Sequence, residues 1–265
     1  STMYQLSRPL SILDRLSEGN ILYTAGILRY RRHMDPPGWN DQIRTMFGNI
    51  AHRYDFMNTL MSFGMDRLWR KRVVALADLP EDGVMLDAGA GTGRISLEAS
   101  RTYPHARIVA IDLTGGMMKV GVKTCPPRVK WACADVLALP FEDAVFDAVA
   151  SGFLVRNVPD IRGAFEEQCR VVRPGGKVIC LDAGPPPENV LNPLVKAHLN
   201  WVIPRLGALI TGDEAAYRYL PASTQAFKTA RQIASLMSAV GFVEVAFERH
   251  MFGAINIVCG KRPRW

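Results

Sequence analysis

The stretch VMLDAGAGTG at residues 84–93 decides the fold, because an apolar strand runs directly into closely spaced glycines. RISLEASRTY follows it with the spacing of an amphipathic helix, and RIVAID at residues 107–112 reads as a second apolar strand. Glycines between a strand and a helix let backbone N–H groups approach a ligand at the positive end of the helix. The segment therefore predicts a strand–turn–helix unit that binds a ligand.

The same alternation continues along the chain. Further strands are predicted at VKWACAD (129–135), FDAVASGFLV (146–155) and KVICLDA (177–183), with a helix at 161–172 that Arg173-Pro174-Gly175-Gly176 stops. Apolar strands that alternate with helices form a parallel sheet covered on both faces. Residues 242–261 add two strands with a tight turn near Met251–Gly253, which must pair antiparallel. The prediction is a doubly wound, mostly parallel seven-stranded α/β sheet with an antiparallel C-terminal hairpin edge, preceded by a helix at Ala230–Val240.

Composition excludes several classes of protein. The chain has 265 residues, of which 48% are hydrophobic and 22% charged, as in a globular domain with a full core. No run of about 18 apolar residues is present, so no membrane-spanning helix is expected. The five cysteines form no CxxC pair and the histidines have no ligand spacing, so neither disulfides nor a metal site is expected. The net charge of +7 suits nucleic acid, anionic lipid or an anionic substrate without choosing among them.

The chain divides into an N-terminal arm and linker, residues 1–39, and a main domain, residues 40–265. DPPGW at residues 35–39 breaks any helix and marks the linker. Within the arm, ILYTAGILRYRRH at residues 21–33 joins apolar residues to arginines. It is interpreted either as a segment on an anionic membrane surface or, preferably, as a helix packed on the main domain. Residues 185–227 form a connection long enough to be functional, interpreted as a helical cover over an acceptor site.

The glycine loop and the acid before it differ from a dinucleotide-binding motif. Its spacing is GxGxG, at Gly89, Gly91 and Gly93, whereas a dinucleotide fingerprint needs its third glycine where this chain has Arg94. Asp87 precedes the loop and would repel a diphosphate, but it suits a ligand with an ammonium or sulfonium group. S-adenosylmethionine carries both. The alternative interpretation of Asp87, judged second, is a cap on the following helix.

The ends of the next strands extend the predicted site. Asp112 can accept hydrogen bonds from both hydroxyls of a ribose, and Asp135 can accept one from an exocyclic adenine amine. Leu113 and Val136 are apolar neighbours that could sandwich the base, although ordinary core packing explains them equally well. The fourth strand ends at Ser151-Gly152, small residues that allow close approach.

Two other classes of protein compete with this hypothesis. A nicotinamide dehydrogenase would use the same sheet, but GxGxG replaces GxGxxG and no Tyr-x-x-x-Lys pair is present. A nucleic-acid-binding protein is suggested by charge alone, since the aromatic residues are not interleaved with the basic ones. No nucleic-acid partner is therefore expected.

Longer segments resemble a known family. LDAGAGTG, AID, ADVLALPF and RVVRPGGKV are similar to the class I S-adenosylmethionine-dependent methyltransferases. Residues 46–74, 151–160 and 212–227 resemble more specifically the ubiquinone/menaquinone biosynthesis C-methyltransferases, the UbiE type. The resemblance covers residues 40–262 and leaves out the arm.

The resemblance implies an activity. Members of this family bind S-adenosylmethionine through the positions of Thr92, Asp112, Asp135-Val136 and Ser151, and they methylate a ring carbon of a prenylated benzoquinol or naphthoquinol. A phospholipid amine or a soluble secondary metabolite is the alternative acceptor. The usual family segment GFGLRNV is here GFLVRNV, which keeps Phe153 and changes two residues that follow it. These changes are expected to leave the cofactor site untouched and to affect the choice of ring substrate.

Five residues are assigned to catalysis and acceptor binding. Arg156 is expected to stabilise a developing phenolate and Asn157 to orient the acceptor oxygen, the alternative being a helix cap with a surface ion pair. Tyr54, Phe153 and Trp201 are expected to bind the substrate. The expected location is the cytoplasm, with contact at the inner face of the membrane and formation of a homodimer both left open.

Overall fold

An eight-stranded sheet organises the computed structural model, which describes residues 22–23, 39–186, 202, 205, 219 and 222–264. The strands are β1 Leu22–Tyr23, β2 Val84–Ala88, β3 Arg107–Asp112, β4 Lys130–Cys133, β5 Phe146–Gly152, β6 Val172–Ala183, β7 Val243–His250 and β8 Ile255–Lys261. The helices are α1 Trp39–Met61, α2 Asp66–Ala77, α3 Arg94–Thr102, α4 Gly115–Thr124, α5 Ile161–Val171 and α6 Ala230–Val240. Single 3-10 turns lie at Val155–Asn157 and Met251–Gly253.

The strand order confirms the predicted α/β fold. The order is β1-β4-β3-β2-β5-β6-β8-β7, with parallel pairing from β1 to β6 and antiparallel pairing of β6 with β8 and of β8 with β7. The chain moves from β2 to β3 and β4 on one side and then returns to β5 on the other. Ligands bind outside the carboxyl ends of the strands at such a reversal. The topology therefore places the site beyond the ends of β2, β3 and β5.

Local sequence explains why the elements begin and end where they do. Every residue of β2 is buried, as its continuous apolar sequence predicts for a central parallel strand. Helix α6 coincides with its predicted range because Thr229 and Gln232 form a reciprocal capping box and Gly241 follows with φ +110°. One core cluster packs α5 and α6 on one face of the sheet, and another packs α2, α3 and α4 on the opposite face.

The predicted boundary after α5 is corrected by the structure. The helix ends at Val171, and β6 already begins at Val172, so the segment Arg173–Gly176 lies within the strand. Gly175 donates its N–H to the carbonyl of Arg262 at 2.9 Å, and Gly176 accepts from the N–H of Arg262 at 2.9 Å. These backbone hydrogen bonds replace the loop that glycine and proline suggested.

The helix preferred for the N-terminal arm is wrong at Leu22 and Tyr23. Leu22 and Tyr23 form a strand rather than a helix, and they pair in parallel with Ala132 and Cys133 of β4. Without β1, strand β4 would be the edge of the sheet and would have unpaired backbone groups, some of which β1 pairs. The sheet therefore gains an eighth strand beyond the seven that were predicted.

Most of the predicted helical cover lies outside the described residues. Within 185–227 the structure describes residues 185–186, 202, 205, 219 and 222–227, of which 222–226 are helical. Across the described parts of the chain, no helix is both long enough and apolar enough to cross a bilayer.

A close contact between α4 and β4 generates a stability prediction. A Cβ added at Gly121 would lie 2.2 Å from the buried indole of Trp131, whereas one added at Gly115 would meet nothing within 4 Å. We expect Gly121→Ala to lower the free energy of unfolding by about 1–3 kcal/mol, because overpacking outweighs the better helix propensity of alanine. Urea denaturation measures the effect, with Gly115→Ala in the same helix as the control. Equal stability of the two variants would contradict this account of the contact.

Candidate active site

The structure gathers the predicted cofactor-binding residues around one pocket at the carboxyl ends of β2, β3 and β5. All of them except Ser151 line it, namely Asp87, Gly89, Gly91, Thr92, Asp112, Leu113, Asp135 and Val136. Ser151 is fully buried inside β5, and its neighbour Gly152 lies on the pocket wall instead. Residues that are separate in sequence thus meet at the edge where the topology places a ligand.

Asp112 holds the glycine loop in place. Gly91 donates its N–H to Oδ2 of Asp112 at 2.8 Å, and Thr114 donates its N–H to Oδ1 at 2.7 Å. Gly91 has φ +56°, a backbone conformation that favours glycine. Burial raises the pKa of Asp112 and these N–H groups lower it, with a net upward shift. The oriented carboxylate retains lone pairs that can accept hydrogen bonds from ribose hydroxyls.

The two oxygens of Asp87 have different environments. Oδ2 accepts hydrogen bonds from the N–H of Ser96 at 2.9 Å and from its hydroxyl at 2.6 Å, so the interpretation as a cap on α3 is correct for this oxygen. Oδ1 is buried and has no hydrogen-bond partner among the described residues. Burial raises the pKa of Asp87 to about 6. A cation in the pocket would satisfy this oxygen, which fits a ligand with an ammonium or sulfonium group.

Adjacent walls suit a nucleoside. Asp135 is 8% exposed and accepts the N–H of Leu137 at 2.9 Å, and Leu113 and Val136 provide apolar surface beside it. On the other side, a Cβ built at Gly89 would lie 2.5 Å from Leu154. Leu154 is one of the two residues that depart from the family segment, so this change does touch the cofactor pocket.

Helix α1 contacts the glycine loop through Asp55, an acid that was not among the predicted site residues. Asp55 accepts a hydrogen bond from the hydroxyl of Thr92 at 2.7 Å and forms an ion pair with Arg94 at 2.9 Å. The same helix brings Tyr54 and Phe47 to the pocket, where their rings meet edge to face at 5.8 Å. The position of Asp55 next to Tyr54 on a helix was its only signal in the sequence.

The predicted catalytic residues occupy two different environments. Asn157 and Phe153 line the pocket, but Arg156 lies outside its wall, with its guanidinium 5.3 Å from the centre of the Phe153 ring. Nη1 of Arg156 donates to Oδ1 of Asp182 at 2.5 Å, and both side chains are 4% exposed. The ion pair expected at the surface is therefore buried. Burial is the largest single influence and lowers the pKa of Arg156, but the charge and hydrogen bond of Asp182 and the nearby tyrosines together raise it by more. The net shift is upward, so the guanidinium remains charged.

Tyr219 forms a hydrogen bond with the side chain of Asn157. Its hydroxyl donates to Oδ1 of Asn157 at 2.8 Å, while Nδ2 of Asn157 donates to the carbonyl of Phe153 at 3.0 Å. Tyr219 was not among the predicted site residues, although it lies in one of the segments that carried the family resemblance. Trp201, the other predicted substrate-binding residue of this region, lies outside the described residues.

The described residues contain no candidate metal centre. No group of three His, Cys, Asp or Glu side chains among them is arranged to hold a metal ion. The pocket is lined by a glycine loop, by Asp87 with its unpartnered carboxylate oxygen, and by Asp112 at the end of β3. These features fit S-adenosylmethionine and disfavour a diphosphate.

A doubly wound sheet with an acidic glycine loop at its switch point defines a class I S-adenosylmethionine-dependent methyltransferase. A solved SAM-dependent methyltransferase from Thermotoga maritima shares the fold, with a TM-score of 0.60 at 18% identity, over 82% of this chain and 99% of that one. Residues 38–262 match the model of the ubiE/COQ5 methyltransferase family, and the chain belongs to that family.

Curated relatives match over most of their length. The chain is 41% identical to a ubiquinone/menaquinone biosynthesis C-methyltransferase UbiE of Desulfotalea psychrophila, over 82% of this chain and 89% of the relative. It is 39% identical to a demethylmenaquinone methyltransferase of Thermus thermophilus, over 82% of this chain and the whole of the relative. The family assigned from the sequence is thereby confirmed, as is its use of S-adenosylmethionine.

The raised pKa of Asp87 predicts a pH dependence of cofactor binding. Above about pH 6 the carboxylate is ionised and attracts the cationic ligand, and below it protonation removes that attraction. We expect the affinity for S-adenosylmethionine to fall about tenfold from pH 7 to pH 5, measured by calorimetry. The Ser96 hydrogen bond lowers this pKa, so Ser96→Ala should move the midpoint to higher pH. An Asp87→Asn variant with the same pH profile as the wild type would contradict the assignment.

The contacts of Asp55 with Thr92 and Arg94 predict that helix α1 helps to hold the cofactor. We expect Asp55→Asn to weaken binding of S-adenosylhomocysteine about tenfold, because the amide loses the charged contact with Arg94 and weakens the contact with Thr92. Asp82→Asn is the matched control, since Asp82 precedes β2 and therefore lies at the amino ends of the strands, away from the pocket. Equal affinities of the two variants would show that α1 does not hold the cofactor.

Proposed function

We propose that the protein transfers a methyl group from S-adenosylmethionine to a ring carbon of a prenylated quinol, demethylmenaquinol or a related ring. The observation that carries the proposal is the position of Phe153 and Asn157 on the pocket wall beside the glycine loop. An aromatic surface and a held amide there suit a flat ring that carries oxygen substituents. The names of the curated relatives support the same acceptor class.

Several groups of this chain would hold the cofactor. Asp112 would accept the ribose hydroxyls, Asp135 the adenine amine, and Asp87 would face the cationic methionine end. S-adenosylmethionine supplies an electrophilic methyl group on a sulfonium that departs as a neutral thioether. The remaining task of the protein is to align the acceptor carbon, and positioning of this kind supplies about 7–11 kcal/mol.

Asn157 is suited to orient the acceptor. Its Oδ1 accepts from Tyr219 and one hydrogen of Nδ2 is donated to the carbonyl of Phe153, which fixes the orientation of the amide. The second hydrogen of Nδ2 remains available for an oxygen of the quinol. The hydrogen-bonded neighbours thereby set the direction in which the amide donates.

Arg156 is suited to stabilise negative charge on the acceptor. A quinol carbon becomes a stronger nucleophile when a ring hydroxyl loses its proton, and the resulting phenolate needs positive charge nearby. Arg156 lies behind Phe153 and is fixed by Asp182, so it would act through the electrostatic field rather than as a base. After the carbon–carbon bond forms, the ring carbon loses its proton to solvent and aromaticity returns.

The acceptor class also determines where the enzyme works. A prenylated quinol dissolves in the bilayer, so the proposal places the enzyme at the cytoplasmic face of the membrane. Homodimer formation stays a prediction that size-exclusion chromatography with light scattering can test. A phospholipid amine remains the alternative acceptor, because it would also be reached from the membrane surface.

The product identifies the acceptor. Incubation with labelled S-adenosylmethionine and a reduced membrane-quinone extract should yield a quinone carrying one additional labelled methyl group on the ring, as seen by mass spectrometry. Label in a phospholipid amine fraction instead would overturn the proposed acceptor and favour the alternative.

Substitution of Asn157 separates acceptor orientation from cofactor binding. We expect Asn157→Ala to lower kcat about 10–100-fold, because the acceptor oxygen loses its donor, while the affinity for S-adenosylhomocysteine changes little. Tyr219→Phe keeps the amide and removes one restraint on it, so its loss of kcat should be smaller. An Asn157→Ala enzyme with normal turnover would exclude this role.

A further inference from the structure

The last turns of α1, the turn after it and the first turn of α2 carry exposed apolar side chains. Four of them, here called the apolar apex, lie within thirteen consecutive residues: Phe56, Leu60, Phe63 and Leu68, which are 60%, 37%, 74% and 63% exposed. The other large hydrophobic side chains that are exposed in the described parts of the chain are scattered, namely Val122, Val202 and Phe252. Clustered exposed apolar surface marks an interaction site more often than single residues do.

The backbone at the apex holds Phe63 outward at an energetic cost. Gly64 donates its N–H to the carbonyl of Thr59 at 2.7 Å, and Phe63 donates its N–H to the carbonyl of Leu60 at 3.2 Å. These two bonds close α1 as a Schellman motif, whose left-handed position is usually glycine. Phe63 occupies that position with φ +52° and leaves its ring largely exposed. Phe63 thus keeps its ring at the surface although its backbone conformation favours glycine.

The exposed charged side chains next to Phe63 and Leu68 in the sequence are positive. Arg67 and Lys71 are both exposed. The acids of the same stretch, Asp55 and Asp66, are 16% and 4% exposed and both are paired with arginines. The surface therefore combines apolar side chains with positive charge, which complements an anionic membrane. A second copy of this chain would bring like charges together and is disfavoured.

The apex adjoins the candidate active site. The last residue of α2 is connected by a short turn to the amino end of β2. The first residue of α2 therefore lies toward the carboxyl ends of the strands. Arg70 of α2 and Tyr54 of α1 both line the pocket. A surface that binds to the apex would therefore lie close to the pocket.

We propose that the apolar apex docks on an anionic phospholipid bilayer, with Phe63 and Leu68 in the headgroup–acyl boundary and Arg67 and Lys71 on lipid phosphates. Docking in this orientation brings the pocket to the surface from which a prenylated acceptor is drawn. The inference deepens the proposed function by naming the membrane contact, and it is tested without turnover so that either can fail alone.

Sedimentation of the full chain with vesicles tests the proposal. The wild type should bind phosphatidylcholine vesicles that contain phosphatidylglycerol and bind pure phosphatidylcholine much more weakly. Phe63→Gly should reduce the partition coefficient about tenfold, yet leave the free energy of unfolding equal or higher, since glycine suits the left-handed position. Replacing Arg67 and Lys71 by glutamine should cost about fivefold per charge, less at high salt.

Val122→Ser is the control, because it removes an exposed apolar side chain from the last turn of α4, and it should bind vesicles like the wild type. The proposal is overturned if the wild type does not bind anionic vesicles or if Phe63→Gly binds them equally well. It is also overturned if light scattering shows a dimer that Phe63→Gly dissociates, which would assign the apex to a second copy.

Discussion

The hydrogen bonds that Asp112 accepts from the backbone of Gly91 and Thr114 are the contacts on which the site depends most. They tie the loop after β2 to the end of β3, and they do so at the point where the sheet reverses its order. Each neighbouring feature needs that loop in place. Asp87, which has one buried oxygen without a hydrogen-bond partner among the described residues, lines the pocket just before this loop, and helix α1 reaches the loop through Asp55. Buried carboxylates with partners on one side only are costly, which favours a cationic ligand in the remaining space.

The sequence predicted the sheet because its signals are local. Apolar runs, glycine turns and the capping box at Thr229 each act within a few residues, and the predicted range of α6 coincides with the structure. The errors arose where a distant strand decides the outcome. Leu22 and Tyr23 are a strand because β4 has a free edge, and Gly175 stays within a strand because the segment after β8 supplies hydrogen bonds. Neither partner is visible from the residues themselves.

The same distinction applies to the site. Acids at strand ends were predictable, since parallel topology brings those ends together. The bridge from Asp55 to Thr92 spans 37 residues, and the bond from Tyr219 to Asn157 spans 62, so no local pattern revealed either. The burial of Arg156 against Asp182 was also unforeseen, because the ion pair was expected at the surface. Family membership, by contrast, follows from long matched segments and did not need these contacts.

The central claim is electrostatic: an acidic pocket around a glycine bend selects a cationic sulfur nucleoside over a diphosphate. The most direct measurement is a calorimetric comparison of S-adenosylhomocysteine with NADH on the wild-type chain at neutral pH. The account predicts saturable binding of S-adenosylhomocysteine, whose homocysteine end carries an ammonium group, and no detectable binding of NADH. Tight binding of NADH with no heat from S-adenosylhomocysteine would contradict it.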